Sequence, residues 1–181
     1  MDRKTENYKT VIRFLGKMVL YFACVFGLTY LLVQFVGQRT VVIGDSMRET
    51  LMDGDNVIVD KISYRFKKPK RFDIIVFPNG DNENYIKRII AMPGEKVYID
   101  EEGVIFIDGE ELEESYGREV IRDAGLAGKQ ITLASDEYFV LGDNRNNSVD
   151  SREVSVGNIK EKEIIGRAWV RIYPFDKIKM L

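Results

Sequence analysis

The chain has 181 residues, of which 45% are hydrophobic and 31% charged, and its net charge at pH 7 is −2. This composition argues against a disordered chain, and the slightly acidic balance gives no electrostatic basis for binding nucleic acid. With no histidine and a single cysteine, the sequence leaves only carboxylates for a metal site and excludes an internal disulfide.

The N-terminal part of the sequence predicts a short tail, residues 1–17, and one membrane-spanning helix, residues 18–36. The second segment, MVLYFACVFGLTYLLVQFV, has nineteen residues and no charge, and as a helix it would be roughly 28 Å long, close to the hydrocarbon thickness of a bilayer. The tail carries five lysines and arginines against two acids, which predicts a cytoplasmic N-terminus and an extracytoplasmic domain from residue 37 to 181. The alternatives are a cleavable signal peptide, which would need small residues at a cleavage site, and a buried core helix, which would need a polar face.

From Thr40 onward the pattern changes from helical to β. Eight short segments rich in Val, Ile, Tyr and Phe are separated by turn-forming residues, which predicts an all-β barrel or sandwich. The predicted strands are residues 56–64, 73–78, 85–92, 96–100, 103–109, 130–133, 137–143 and 166–174.

A small lobe is predicted between the core strands, at about residues 96–136. Residues 96–107 alternate apolar and polar side chains around a tight turn, a pattern typical of a hairpin. The stretch that follows, residues 110–129, is polar and punctuated by glycine, so we expect it to belong to the same inserted lobe.

Ser46 lies in VIGDSMRETL, residues 42–51, between an apolar run and a polar turn. A serine hydroxyl is a poor nucleophile until a base takes its proton, and the usual base, histidine, is absent from this chain. A neutral lysine could serve if burial lowered its pKa. Lys87, in YIKRIIAM, has the most apolar neighbours, although on composition alone it could equally be a strand-edge lysine that faces solvent.

A third polar segment, GDNRNNSVDSR at residues 142–152, follows a predicted strand. It does not fit a calcium-binding loop, because Arg145, Ser148 and Val154 occupy the third, sixth and twelfth positions when Asp143 is counted first. Two carboxylates and two guanidiniums predict an ion-pair network that would rigidify the loop. These residues are Asp143, Arg145, Asp150 and Arg152.

In their order along the chain, GDSMRETL, DGDNVIVDK, RFDIIVF…YIKRIIAMPGE and GDNRNNSVDSR resemble the bacterial type I signal peptidases. These are membrane-bound serine endopeptidases with a Ser/Lys dyad, and the resemblance, to the single-span form of Gram-positive bacteria, covers nearly the whole chain. It implies a mostly β core with an inserted small β lobe, preceded by one transmembrane helix. It also implies removal of N-terminal signal peptides from exported preproteins at the outer face of the cell membrane, without a metal or cofactor.

The resemblance further implies roles for individual residues. Ser46 would be the nucleophile, Lys87 the general base, and Ser148 a hydrogen-bond partner of the lysine amine. The four charged residues of the third segment, Asp143, Arg145, Asp150 and Arg152, would brace the site. A substrate strand would add between two borders, formed by Ile43, Gly44 and Asp45 on one side and by Tyr85 and Ile86 on the other.

Several expectations concern departures from the family and the lipid surface. Glu49 stands where the family usually has proline, and Phe72 where it usually has glycine. These changes indicate a divergent member with narrow substrates, and they leave open a non-cutting assembly factor for surface proteins such as pilus subunits. Because Gly44 has no hydroxyl, a second oxyanion donor would have to be backbone or water. An apolar rim is predicted to dock at the lipid surface, formed by Val41, Val42, Met47, Leu51 and Met52.

Overall fold

The structure is a computed structural model that describes residues 3–35, 37–80, 83–117 and 119–181. Residues 1 and 2 of the predicted tail and residue 36 of the predicted span lie outside this part of the chain. The chain divides into two compact units, Met1–Gly37 and Gln38–Leu181.

The first unit is one helix, α1, Arg3–Phe35. Its most apolar window, Val11–Tyr30, has a mean hydropathy of 1.8 and is long enough to cross a membrane. This window begins earlier than the span of residues 18–36 predicted from charge alone. Its large apolar side chains include Val19 and Phe26, which are 69% and 70% exposed. A continuous apolar helix of this length is typical of a membrane anchor.

The second unit is built on a large, mostly antiparallel sheet. Its order is β1-β2-β11-β3-β4-β9-β10, and β12 pairs with β11. The strands are β1 Gly37–Val41, β2 Asn56–Asp60, β3 Ile74–Asn79, β4 Glu83–Ala91, β9 Glu137–Leu141, β10 Ile159–Lys160, β11 Gly166–Tyr173 and β12 Lys179–Met180.

A smaller sheet is inserted between β4 and β9, in the order β7-β6-β5-β8. Its strands are β5 Lys96–Ile99, β6 Ile105–Ile107, β7 Glu110–Glu111 and β8 Ile131–Thr132. Val97 opposes Ile107 across β5 and β6, so the predicted hairpin is present. The predicted fold class, a mostly β core with a small inserted β lobe after one apolar helix, is confirmed.

Short 3-10 helices span Ser63–Arg65, Gly125–Gly128, Glu161–Glu163 and Phe175–Lys177.

The small sheet and the large sheet share one apolar core, which fixes the lobe against the rest of the domain. Ile90 and Phe139 from the large sheet lie in the same buried cluster as Val97, Ile99 and Ile107 from the lobe. These side chains are at most 8% exposed, so moving the lobe would expose a substantial apolar area to water. The lobe is therefore held in a fixed position against β4, the strand that carries Lys87.

The predicted lipid-facing rim is wrong for three of its five residues. Val42, Met47 and Leu51 are 3%, 1% and 0% exposed and pack in a core cluster with strand residues of β2 and β3. The cause is a helical turn in which the Leu51 N–H donates to the Met47 carbonyl, because side chains four residues apart then lie on the same face. Val41 and Met52, at 46% and 39%, do remain exposed.

Candidate active site

The structure brings Ser46 and Lys87 into direct contact. Lys87 Nζ donates hydrogen bonds to Ser46 Oγ at 2.8 Å and to the Ile86 carbonyl at 3.1 Å. Lys87 is 3% exposed, and on β4 it lies opposite Ile75 of β3. The alternative of a solvent-facing lysine is excluded by this burial.

Burial changes the acid–base chemistry of this amine. Loss of hydration disfavours the ammonium form and lowers the pKa of Lys87 from 10.5 to about 8, although the negative charges of Asp150 and Asp143 oppose the shift. The ring of Tyr85, whose centroid lies 4.9 Å from Nζ, also favours the charged form. Near neutral pH a useful fraction of the amine is thus uncharged and able to accept a proton.

The polar loop of residues 142–152 holds the turn that carries Ser46. The backbone N–H of Asn144 donates to the Ser46 carbonyl at 3.0 Å, and the Asn144 side chain donates to the Asp45 carbonyl at 3.0 Å. Gly142 lies so close that an added Cβ would stand 2.5 Å from the Ser46 carbonyl oxygen and would also overlap Ser148 Oγ. Gly142 is therefore a site residue that the sequence analysis did not single out.

Two of the predicted bracing residues pair with each other. Arg152 donates to both carboxylate oxygens of Asp150, at 2.8 and 2.9 Å, and both side chains are buried. Asp150 also accepts the Gly142 N–H at 3.0 Å, while Arg152 reaches the Arg145 carbonyl. This pair cross-links the two ends of the loop, as charge-assisted bidentate pairs do.

The other two bracing residues take partners that the sequence analysis missed. Asp143 accepts two hydrogen bonds from Arg88, at 2.8 and 2.7 Å, and this pair is buried. Arg145 pairs with Glu114 of the lobe at 2.5 Å and also donates to the Gly142 carbonyl. A buried arginine in an apolar strand requires a carboxylate partner, so the position of Arg88 could have indicated that it forms an ion pair. Glu114 lies in a polar stretch of sequence, where nothing indicated that it pairs with Arg145.

Ser148 differs from its predicted role. Its hydroxyl is buried, and no described residue accepts from it or donates to it. The predicted hydrogen bond to Lys87 is therefore not formed in this structure, and the amine instead contacts Ser46 Oγ and the Ile86 carbonyl. Ser148 does lie beside the turn that carries Ser46, since its hydroxyl and the Ser46 carbonyl would both clash with a Cβ added at Gly142.

Replacing Ser148 by alanine is expected to lower turnover about tenfold or more while leaving the unfolding temperature almost unchanged. The substitution removes a buried hydroxyl that has no partner among the described residues, so folding loses little. Turnover would suffer if Ser46 is the nucleophile, because the hydroxyl could then accept from the amine while Ser46 carries an acyl group. Steady-state cleavage and thermal unfolding of the variant test this together, and unchanged turnover would remove Ser148 from the site.

A groove of about 470 Å³ passes the contact between Ser46 and Lys87. All five predicted border residues line it, together with side chains that the sequence analysis did not name. The predicted residues are Ile43, Gly44, Asp45, Tyr85 and Ile86, and the additional ones include Thr40, Glu83, Asn84, Asn147 and Val149. In the described part of the chain, no cluster of three or more His, Cys, Asp or Glu side chains could hold a metal ion.

Two departures from the expected sequence pattern adopt left-handed backbone. Phe72 has a φ of 71°, so glycine, the usual residue there, would suit the same conformation. Glu49 has a φ of 86°, which proline cannot adopt because its ring fixes φ near −65°. The turn that leaves Ser46 is therefore built differently here from a turn that contains the usual proline.

Comparison with known proteins agrees with the geometry. Residues 15–173 match the family described as signal peptidase, peptidase S26. "Signal peptidase I" of Leptolyngbya laminosa is 39% identical over 153 residues, which cover 80% of this chain and 72% of that protein. "Probable signal peptidase I-2" of Synechocystis sp. is 34% identical over 154 residues, covering 81% and 68%.

Relatives from Bacillus and Enterococcus are also similar. "Signal peptidase I P" of Bacillus subtilis subsp. natto is 34% identical over 161 residues, covering 84% of this chain and 85% of that protein. The crystal structure of a signal peptidase I from Enterococcus faecalis is 34% identical, with a TM-score of 0.46 over 56% of this chain and 97% of that one. None of these relatives is named as a non-cutting assembly factor. By the family match and by identities of at least 34% to three relatives, each covered over more than two thirds of its length, this chain belongs to the signal peptidase family, peptidase S26.

Proposed function

We propose that this chain removes N-terminal signal peptides from exported preproteins as a membrane-bound serine endopeptidase, with Ser46 as nucleophile and Lys87 as general base. The observation that carries the proposal is the 2.8 Å contact between the buried Lys87 Nζ and Ser46 Oγ. The alternative, a factor that binds surface proteins without cutting them, would have no need for a buried amine held against a serine hydroxyl.

The reaction would proceed through an acyl-enzyme. Neutral Lys87 accepts the proton of Ser46 as its oxygen attacks the scissile carbonyl, and the resulting ammonium then protonates the departing amine. The neutral amine next activates a water molecule that hydrolyses the ester. The Ser46 N–H is one donor for the oxyanion. The Gly44 N–H is already bonded to Asp53 at 2.8 Å, so the second donor would come from other backbone or from water.

The substrate would enter the groove as an extended strand. Residues 83–87 of β4 pair with β3 on one side, whereas on the other side the pairing of β4 with β9 begins only at Arg88. The outer edge of this part of β4 is therefore available to main-chain hydrogen bonds from a peptide. Ile86, at 8% exposure, and Val42, at 3%, form apolar walls of the groove. Closely packed walls of this kind would favour short side chains such as alanine beside the scissile bond.

The membrane arrangement follows from charge and exposure. The cation excess of residues 1–17 supports a cytoplasmic N-terminus. The apolar window Val11–Tyr30 supports a single span, which overlaps the predicted residues 18–36. Residues 37–181 would then form the extracytoplasmic peptidase domain, with the lobe at about residues 96–136. Within that domain Ile43, at 85%, and Phe175, at 77%, are exposed apolar side chains suited to contact with lipid.

The proposal is tested with the full-length chain in lipid and a preprotein peptide that carries an Ala-x-Ala cleavage site. We expect cleavage after the second alanine, and we expect both Ser46→Ala and Lys87→Met to abolish it. Binding of the peptide with no product under the same conditions would overturn the proposal in favour of the non-cutting role.

Activity is expected to depend on pH through the amine of Lys87. The base must be neutral, and burial lowers its pKa to about 8, so kcat/KM should rise with pH and level off above that value. Below the pKa the rate should fall about tenfold for each pH unit, because only the neutral fraction reacts. Initial rates between pH 5 and 10 provide the measurement, and a flat profile would contradict Lys87 as base.

A further inference from the structure

The lobe reaches the candidate site through the segment between β7 and β8. Residues 112–117 and 119–127, named here the return segment, contact the polar loop at several points. Glu114 pairs with Arg145, the Asn146 side chain donates to the Val120 carbonyl, and the Leu126 N–H donates to the Arg152 carbonyl. The predicted lobe thus does more than extend the sheet, because it touches the residues that hold the Ser46 turn.

Tyr116 of the return segment makes a contact with a different role. Its ring lies under the Arg88 guanidinium, with 3.7 Å between the guanidinium carbon and the ring centroid. The ring also packs on Phe72, at 5.0 Å between centroids. An arginine stacked on an aromatic face is attracted to the ring and restricted in orientation. Tyr116 therefore fixes the plane of a guanidinium that is only 5% exposed.

Arg88 connects that ring to both halves of the site. It follows Lys87 directly on β4, and it donates both hydrogen bonds that Asp143 receives from it. It also donates to the Phe72 carbonyl at 2.9 Å and to Thr50 Oγ1, in the turn after Ser46, at 3.3 Å. A rotation of the guanidinium would disturb the strand of the base, the polar loop and the turn of the nucleophile together.

The surroundings of Tyr116 argue against a purely structural role in the lobe. The buried core of the lobe is formed by aliphatic side chains with Phe139, and Tyr116 is not part of it. By contrast, Tyr98 packs against Phe106 within the lobe, at 6.2 Å between centroids. Both tyrosines are half-buried aromatic residues of the lobe, but Tyr116 has the ring contact to Arg88.

We propose that Tyr116 is a positioning residue of the Ser46–Lys87 pair, which it aligns through Arg88 and Asp143. This inference rests on the proposed function, since it takes Ser46 and Lys87 as the reacting groups. Tyr116 acts on Ser46 and Lys87 indirectly, because it orients the Arg88–Asp143 ion pair.

The charges around the amine give this role a distinctive signature. Asp143 and Asp150 act on Lys87 from the polar loop, and Tyr85 acts from β4 itself. Arg88 balances Asp143, while Arg152 balances Asp150. Loosening Arg88 leaves more of the Asp143 charge facing the amine, which stabilises the ammonium. The pH profile should then move to more alkaline values, an effect that partial unfolding of the lobe would not produce.

The test compares three variants of the full-length chain in lipid, with kcat and KM measured for a preprotein peptide across pH. Tyr116→Leu, which removes the ring, is expected to lower kcat about tenfold, with little change in KM and an alkaline shift of the profile midpoint. Tyr116→Phe, which keeps the ring, should restore both values. Tyr98→Leu is the matched control within the lobe and should leave the midpoint unchanged.

Three outcomes would overturn the inference: a Tyr116→Leu variant with wild-type kcat and midpoint, the same midpoint shift in Tyr98→Leu, or no rescue by Tyr116→Phe. The midpoint does not depend on how much of the protein is folded, so a less stable Tyr116→Leu variant still gives a decisive result. Ser46→Ala in the same assay separates this inference from the proposed function. Cleavage by Ser46→Ala would reject both, whereas an inactive Ser46→Ala beside an unaffected Tyr116→Leu would reject the inference alone.

Discussion

Replacing Lys87 by methionine is expected to lower kcat on the order of 10⁵-fold, the loss typical of removing a group that acts as a unit with the nucleophile. The variant keeps roughly the length of the side chain and removes the amine, which among the described residues is the hydrogen-bond donor to Ser46 Oγ. Stability should not fall, because a buried amine that loses hydration is replaced by an apolar group. Steady-state cleavage of a preprotein peptide and thermal unfolding together provide the measurement.

Lys96→Met is the matched control, because Lys96 is an exposed strand lysine of the lobe. This control should cleave at the wild-type rate. A Lys87→Met variant that retained more than about one hundredth of the wild-type kcat would show that another group takes the serine proton. Such a remaining activity would be higher than the activity expected of a site that has lost its base.

Gly142→Ala is expected to lower kcat on the order of 100-fold or more, the loss associated with a shift of about 1 Å in a catalytic group. The added methyl group would stand 2.5 Å from the Ser46 carbonyl oxygen, and that atom belongs to backbone that cannot move without the nucleophile. The Ser46 turn, the polar loop or both must shift. Kinetics at saturating peptide measure the loss.

Gly128→Ala is a suitable control for the glycine substitution. A Cβ at Gly128 would meet the Ala124 side chain at 3.5 Å, an ordinary van der Waals distance. We therefore expect wild-type kcat for this variant. Equal kcat for the two alanine variants would contradict the close packing of the polar loop on the Ser46 turn.

The predicted strands were recovered because periodicity and turn residues are local signals. The strand predicted for residues 56–64 ends at Asp60, since the Asp60 carboxylate accepts the Ile62 and Ser63 N–H groups at 2.9 and 3.0 Å and starts a 3-10 turn. Strands β7, β10 and β12 were missed because two residues each are too few to show alternation.

The site could be predicted only as far as its own residues carried the signal. The absence of histidine and the apolar neighbours of Lys87 made it a candidate base, and the family resemblance then implied its pairing with Ser46. The buried position of Arg88 signalled a carboxylate partner, which is Asp143. Glu114 could not be read from the sequence as the partner of Arg145, because the two meet only when the lobe packs beside the polar loop. The prediction of a lipid-facing rim was wrong for three of its five residues, because apolar character alone does not say which side of a turn faces the core.

Lys87 can act as the base only if burial lowers the pKa of its amine enough for a fraction of it to be uncharged near neutral pH. NMR titration of the full-length chain in lipid, with ¹³C at the lysine Cε positions, measures this directly, and the resonance that is absent from Lys87→Met identifies the residue. We expect Lys87 to titrate with a pKa of about 8. A Lys87 resonance that titrated with the exposed lysines, near the ordinary value of about 10.4, would contradict it.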